Sequence, residues 1–222
     1  MDDAGDRRDL VMFDYDGVVV DSLDVFIPSF IEASRQAGIE GVTTEEDAIA
    51  LFEGNFYDAL RALGAGEAQI TRAFDRTGDA LMLAAPWLKP FPLIREVIEE
   101  LSTARTVIIV TSNKTRVVEG WLGRHGVSGV TEVAGAEAAQ SKIEKIRRLV
   151  ERFPGQEVYW YVGDTAGDMI EARAAGVTPL GVAWGWHDPE KLVNAGAERV
   201  AAAPAELLTI VAPELTHDFF TG

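Results

Sequence analysis

Short apolar runs rich in valine and isoleucine alternate along this chain with longer amphipathic segments, and that alternation restricts its architecture more than any other feature. The runs are Leu10 to Phe13, Val107 to Val110, Val158 to Val162 and Leu180 to Ala183, with Val130 to Ala134 as a weaker candidate. A strand that is apolar on both sides is buried on both faces, so the pattern predicts a parallel sheet covered by helices above and below. Between the strands, helices are expected at Pro92 to Thr103, Thr115 to His125, Ser141 to Phe153 and Gly167 to Ala175, with Pro204 to Val211 closing the chain.

From about Asp21 to Ala85 the alternation stops. Apolar positions such as Phe26, Phe30, Ala33 and Ala37 recur at spacings of three and four, which is helical periodicity without a strong strand. The expected organisation is therefore a core of residues 1–20 and 86–222 with a helical insert at 21–85. The proline-rich stretch from Ala85 to Pro92 returns the chain to the core. At 222 residues and 47% hydrophobic content, the chain is long enough for one sizeable core plus a small insert.

Composition removes several function classes. With no cysteine there is neither a disulfide framework nor a thiolate zinc site nor a cysteine nucleophile, and three histidines are few for a histidine-rich metal site. A formal charge of −16 opposes nucleic acid and anionic lipid, which are bound by neutralising phosphate with lysine and arginine. A small anion would need a local site where metal, lysine and backbone amides overcome that field. The acidic, polar start from Met1 to Asp9 and the lack of a membrane-length apolar run lead us to expect a cytoplasmic protein.

Polar groups gather where the expected strands stop. Asp14 and Asp16 follow the first run, point the same way by the period of two in extended chain, and are closed by Gly17. Thr111, Ser112 and Asn113 follow the second; Asp164 and Asp168 follow the third; Lys142 stands at a helix start, against the helix dipole. In an open parallel sheet, ligands bind in the crevice beyond the carboxyl ends of the strands. Each group alone has a structural explanation: a turn for the aspartates, an N-cap for Thr111, a solvated side chain for Lys142. Together they suit Mg²⁺, with Asp14 and Asp164 as the natural pair of carboxylates, and phosphoryl transfer to a carboxylate. Thr111 and Lys142 would hold the equatorial oxygens.

In this order the motifs resemble those of the haloacid dehalogenase superfamily of phosphohydrolases, which carry four motifs on a Rossmann-like core. Phe13 to Val18 is similar to the first, Val110 to Asn113 to the second, Lys142 to the third and Val162 to Asp168 to the fourth, although Lys142 is followed by Ile143 and departs from the common Lys-Pro pattern. The resemblance implies Asp14 as nucleophile and Asp16 as the acid, then base. It implies Thr111, Ser112 and Lys142 at the phosphoryl group, and Mg²⁺ held by Asp14, the Asp16 carbonyl and Asp164, with Asp168 behind them. The insert corresponds to the family's helical cap. Dehalogenases lack the second aspartate; Schiff-base members use a cap lysine, whereas the first lysine here is Lys89; the hinge histidine of the mutases is replaced by Phe26.

A phosphatase similar to the phosphoglycolate phosphatase branch remains, supported by Asp21-Ser22 and by the tails Gly181 to Trp186 and Leu192 to Ala197. The expected partner is a small phosphorylated metabolite, for a monomer or homodimer. Pyrophosphate hydrolysis, phosphoryl transfer to a sugar, and a receiver-like phosphoacceptor module are the alternatives. For the substrate, Asn55 and Asn113 are candidate contacts, and Arg35, Arg61, Arg72 and Arg76 are the cap cations available to a carboxylate. Trp184 and Trp186 are read as packing residues.

Overall fold

The computed structural model describes residues 9–139, 141–216 and 219; the acidic stretch from Met1 to Arg8 lies outside them. Six parallel strands form the main sheet in the order β5-β4-β1-β6-β7-β8: β1 (Leu10–Phe13), β4 (Thr106–Val110), β5 (Val130–Ala134), β6 (Tyr159–Gly163), β7 (Thr178–Val182) and β8 (Arg199–Ala201). Two short strands, β2 (Val20–Asp21) and β3 (Lys89–Pro90), pair antiparallel and carry the chain out of the core and back. Between them lie the insert helices α1 (Leu23–Ala37), α2 (Glu45–Ala50), α3 (Phe56–Ala62) and α4 (Glu67–Ala84). The core helices are α5 (Ile94–Ser102), α6 (Thr115–His125), α7 (Lys142–Arg152), α8 (Ala166–Ala175), α9 (Pro189–Ala195) and α10 (Glu206–Val211).

Pleating of β1 explains why it is apolar throughout. Val11 and Phe13 face one hydrophobic cluster, Leu10 and Met12 the other, and all four are fully buried. Register between β1 and its neighbours pairs Phe13 with Ile109 and with Val162, so the three strands end within one residue of the same level. Their successors, Asp14, Thr111 and Asp164, consequently meet at one edge of the sheet.

Several boundaries shift for identifiable reasons. The first core helix starts at Ile94 instead of Pro92, because Leu93 adopts φ 66, a left-handed conformation outside the helix. Strand β7 starts two residues before Leu180, with Pro179 inside it; a proline read as a turn residue hides that start. Helix α9 and strand β8 are not anticipated. Helix α9 nevertheless has a clear signature, with Pro189 in its first turn and Gly196 at its C-cap with φ 104. Strand β8 is three residues long, too short to show a period. Among the described residues, no helix is long and apolar enough to cross a membrane.

Candidate active site

One cavity lies beyond the carboxyl ends of β1, β4 and β6 and beneath the insert. Asp14, Asp16, Thr111, Ser112, Lys142, Asp164 and Asp168 all line it. Asp14 prolongs β1 by one step, its N–H donating to the Val162 carbonyl at 2.8 Å. The chain then turns, with Gly17 at φ 78, and the Val19 and Val20 amides donate to the Tyr15 carbonyl. Asp16 thus reaches the cavity through a turn and not through continued strand. A β-carbon at Gly17 would stand 2.1 Å from Asp164 Oδ2, so the turn needs glycine for space as well as for its backbone.

The two aspartates have different surroundings. Asp14 Oδ1 accepts from the Tyr15 amide at 2.7 Å and Oδ2 from Lys142 Nζ at 2.6 Å. Burial lifts its pKa to about 7 despite the Lys142 ammonium. Asp16 accepts from Ser22 Oγ at 2.7 Å and from Asn113 Nδ2 at 3.1 Å. Burial raises its pKa as well, against the pull of those two donors and of Lys142. Asn113 therefore stands behind Asp16, and it does not line the cavity.

Lys142 opens α7, whose N-cap is the Ser141 hydroxyl. Its ammonium bridges Asp14 and Asp168, at 2.7 Å from Asp168 Oδ1. Burial opposes the charge, yet Asp14 and Asp168 hold its pKa well above that of a free lysine. These two carboxylates account for a cation at a helix start. One turn later, buried Lys145 donates to the Thr111 carbonyl at 2.6 Å and fixes the loop that carries Thr111. Thr111 does not cap α6, whose N-cap is Lys114; its Oγ1 accepts from the Asn113 amide.

Asp168 is saturated. Its Oδ2 accepts from the amide and hydroxyl of Thr165 in a capping box, and its Oδ1 from Lys142 and the Tyr161 hydroxyl. Burial works to raise its pKa, but Lys142 and Thr165 keep it below the ordinary value. Asp164 is the opposite case. Its Oδ2 accepts from the Trp186 amide at 2.8 Å, while its buried Oδ1 has no partner among the described residues. Burial, then Asp168 and Asp14, push its pKa well up.

Carboxylate oxygens of Asp14, Asp164 and Asp168 lie within 4.8 Å of one another. An unpartnered, desolvated carboxylate oxygen beside a second carboxylate is what a hard divalent cation satisfies, so the donor set fits Mg²⁺. Asp168, with its oxygens already engaged, fits the position behind the metal.

The insert covers the site through contacts that the sequence did not disclose. Asn55 Oδ1 caps α3, and its Nδ2 donates to Glu171 Oε1 of α8 at 2.7 Å. Lys191 pairs with Glu53 at 2.6 Å, and His187 bridges the Ala166 amide and the Ile49 carbonyl. A β-carbon at Gly167 would meet the Gly54 carbonyl at 2.4 Å, so glycine there lets the loop lie directly on α8. The four candidate arginines take no part. Arg35 pairs with Glu32, Arg61 with Asp58 and Glu67, Arg72 and Arg76 are exposed, and none lines the cavity. Trp184 packs with its Nε1 donating to the Val18 carbonyl, and Trp186 packs on Phe26 and Phe52 while one side of it lines the cavity. Its place is set by a backbone bond to Asp164, which no periodicity reports.

Comparison with known proteins agrees with this arrangement. A family model described as haloacid dehalogenase-like hydrolase matches residues 11–182. A phosphoglycolate phosphatase of Synechococcus elongatus is 28% identical over 204 residues, covering 90% of this chain and 96% of that protein. A tyrosine-protein kinase of Mycobacterium tuberculosis is also 28% identical, over 188 residues, covering 82% of this chain and 64% of that one. Among solved structures, a haloacid dehalogenase-like family hydrolase of Streptococcus pneumoniae superimposes with a TM-score of 0.72 at 23% identity, covering 92% of this chain and 98% of that one.

Proposed function

The chain belongs to the haloacid dehalogenase-like hydrolase family, as a phosphatase, and we propose that it hydrolyses small phosphomonoesters through an aspartyl phosphate formed on Asp14. One observation carries this reading: Asp14 and Asp16 enter the same cavity with Lys142 bonded to the first and not to the second. Two adjacent carboxylates then have separate tasks.

Asp14, held between the Tyr15 amide and Lys142, attacks phosphorus. The P–O bond to the alcohol breaks, and Asp16, whose burial favours its protonated form, gives its proton to the departing alkoxide. Asp16, now a carboxylate, takes a proton from water, which attacks the phosphorus of the acyl phosphate and releases phosphate and Asp14. Ser22 and Asn113 hold Asp16 in place for both transfers. Thr111, Ser112 and Lys142 bind the phosphoryl oxygens, with Lys145 supporting the Thr111 loop. Asp14, the Asp16 carbonyl and Asp164 would hold Mg²⁺, which would supply neutralising charge to the phosphoryl group. The insert acts as a cap that shields the first phosphoryl transfer from bulk solvent and leaves the hydrolytic water to Asp16.

The phosphoglycolate phosphatases among the relatives favour a small substrate. The tyrosine-protein kinase at equal identity shows that similarity at this level does not choose the alcohol. The test is phosphate release from ethyl phosphate. Release with added Mg²⁺, lost on chelation by EDTA and restored by excess Mg²⁺, is the expected result; no release with Mg²⁺ present contradicts the reading.

A further inference from the structure

We infer that the cavity takes phosphomonoesters whose alcohol is apolar and bears no negative charge, and that it discriminates against carboxylate-bearing alcohols such as glycolate. This rests on the phosphatase reading and specifies its substrate class. Away from the carboxylates, Lys142 and the hydroxyls of the core loops, the wall is mostly aromatic: Phe26, Phe52, Phe56, Tyr57, Phe74 and Trp186. The rings form one continuous surface. Trp186 and Phe52 meet edge to face at 4.9 Å between centroids, as do Phe56 and Phe74 at 5.2 Å; Phe52 and Phe56 are tilted at 4.5 Å, and Tyr57 stacks on Phe74 at 5.0 Å. The wall runs from the core loop after β7 to the cap helix α4. It offers an alcohol a large apolar contact, with two neutral donors, the Trp186 Nε1–H and the Tyr57 hydroxyl, and no cation.

Charge points the same way. Lys142 is the one cation lining the cavity among the described residues, and its ammonium is already shared by Asp14 and Asp168. The cap arginines that would have to meet a substrate carboxylate are engaged or exposed elsewhere. Among the rings the wall also carries Glu171, a buried carboxyl, and Asn55, whose Nδ2 is committed to Glu171 and whose Oδ1 caps α3. A second anion on the substrate would lose its water against rings and a carboxyl, without a cation to replace it.

The test compares kcat/KM for benzyl phosphate, ethyl phosphate and phosphoglycolate with Mg²⁺ present. All three release alkoxides, so differences report contacts with the alcohol and not an aryl leaving group. Benzyl phosphate is expected to exceed phosphoglycolate by about 100-fold, with ethyl phosphate between them. Phe74→Leu is expected to lower the benzyl-to-ethyl ratio by about tenfold, a ratio that loss of folded protein leaves unaltered. Phosphoglycolate turned over as well as benzyl phosphate overturns the inference, while ethyl phosphate turnover leaves the phosphatase reading standing. A benzyl-to-ethyl ratio unchanged by Phe74→Leu overturns it too. No turnover of any of the three overturns both.

Discussion

Replacing Asp14 by asparagine is expected to lower kcat for every phosphomonoester by about 10⁴-fold or more. An amide keeps the shape of the carboxylate and can still accept from the Tyr15 amide, but it has no lone pair able to form an acyl phosphate. Its NH₂ would also face the Lys142 ammonium, donor against donor. Stability should change little, by about 1 kcal/mol in either direction. Losing one Lys142 contact is offset by removing a carboxylate that burial already disfavours, as its pKa of about 7 records. Steady-state phosphate release together with a thermal melt checks both halves. A folded Asp14→Asn protein retaining a tenth of the parent rate would remove Asp14 from the nucleophile's role.

Lys142→Met should have the second largest effect, lowering kcat/KM at neutral pH by about 10³-fold. Two losses combine. The phosphoryl oxygens lose their ammonium, and Asp14 and Asp168 lose the cation that lies between them. Lys142 lowers the pKa of Asp14, so its removal raises that pKa further and leaves more of the nucleophile protonated at pH 7. The acid limb of the kcat/KM profile should therefore move to higher pH. Lys142→Arg is not expected to rescue, because a planar guanidinium cannot reproduce a point charge between two converging carboxylates. A profile that keeps its acid limb and loses only height would show that Lys142 binds phosphate without tuning Asp14.

The parts of this molecule that follow from local chemistry can be read from its sequence. Strand β1 must be apolar on both faces, so Leu10 to Phe13 declares itself, and the polar residues that stop β1, β4 and β6 stand out against those runs. Shared register then brings Asp14, Thr111 and Asp164 to one edge. What stays hidden depends on pairings across long separations. Glu171 resembles any helical glutamate until Asn55, 116 residues earlier, is found against it. Lys145 reads as one more lysine of a charged helix, and its bond to the Thr111 carbonyl spans 34 residues. Neighbours of opposite sign that keep arginines on the cap surface are visible in the sequence, as in Glu32 and Arg35, and charge pairing at helical spacing would have argued for it. The aromatic wall eluded a period-based reading because it joins rings from α1, the loop before α3, α3 itself, α4 and the turn after β7.

A covalent phosphate on Asp14 is trapped most directly in Asp16→Asn, assayed with p-nitrophenyl phosphate and Mg²⁺. A good leaving group departs without an acid, so the first half of the reaction proceeds, whereas the second half lacks the base that activates water. A burst of nitrophenolate equal in amount to the enzyme is expected, followed by near arrest, with a phosphoryl group found by mass spectrometry on the peptide containing Asp14. Linear release without a burst, or a phosphoryl group on any other residue, would contradict it.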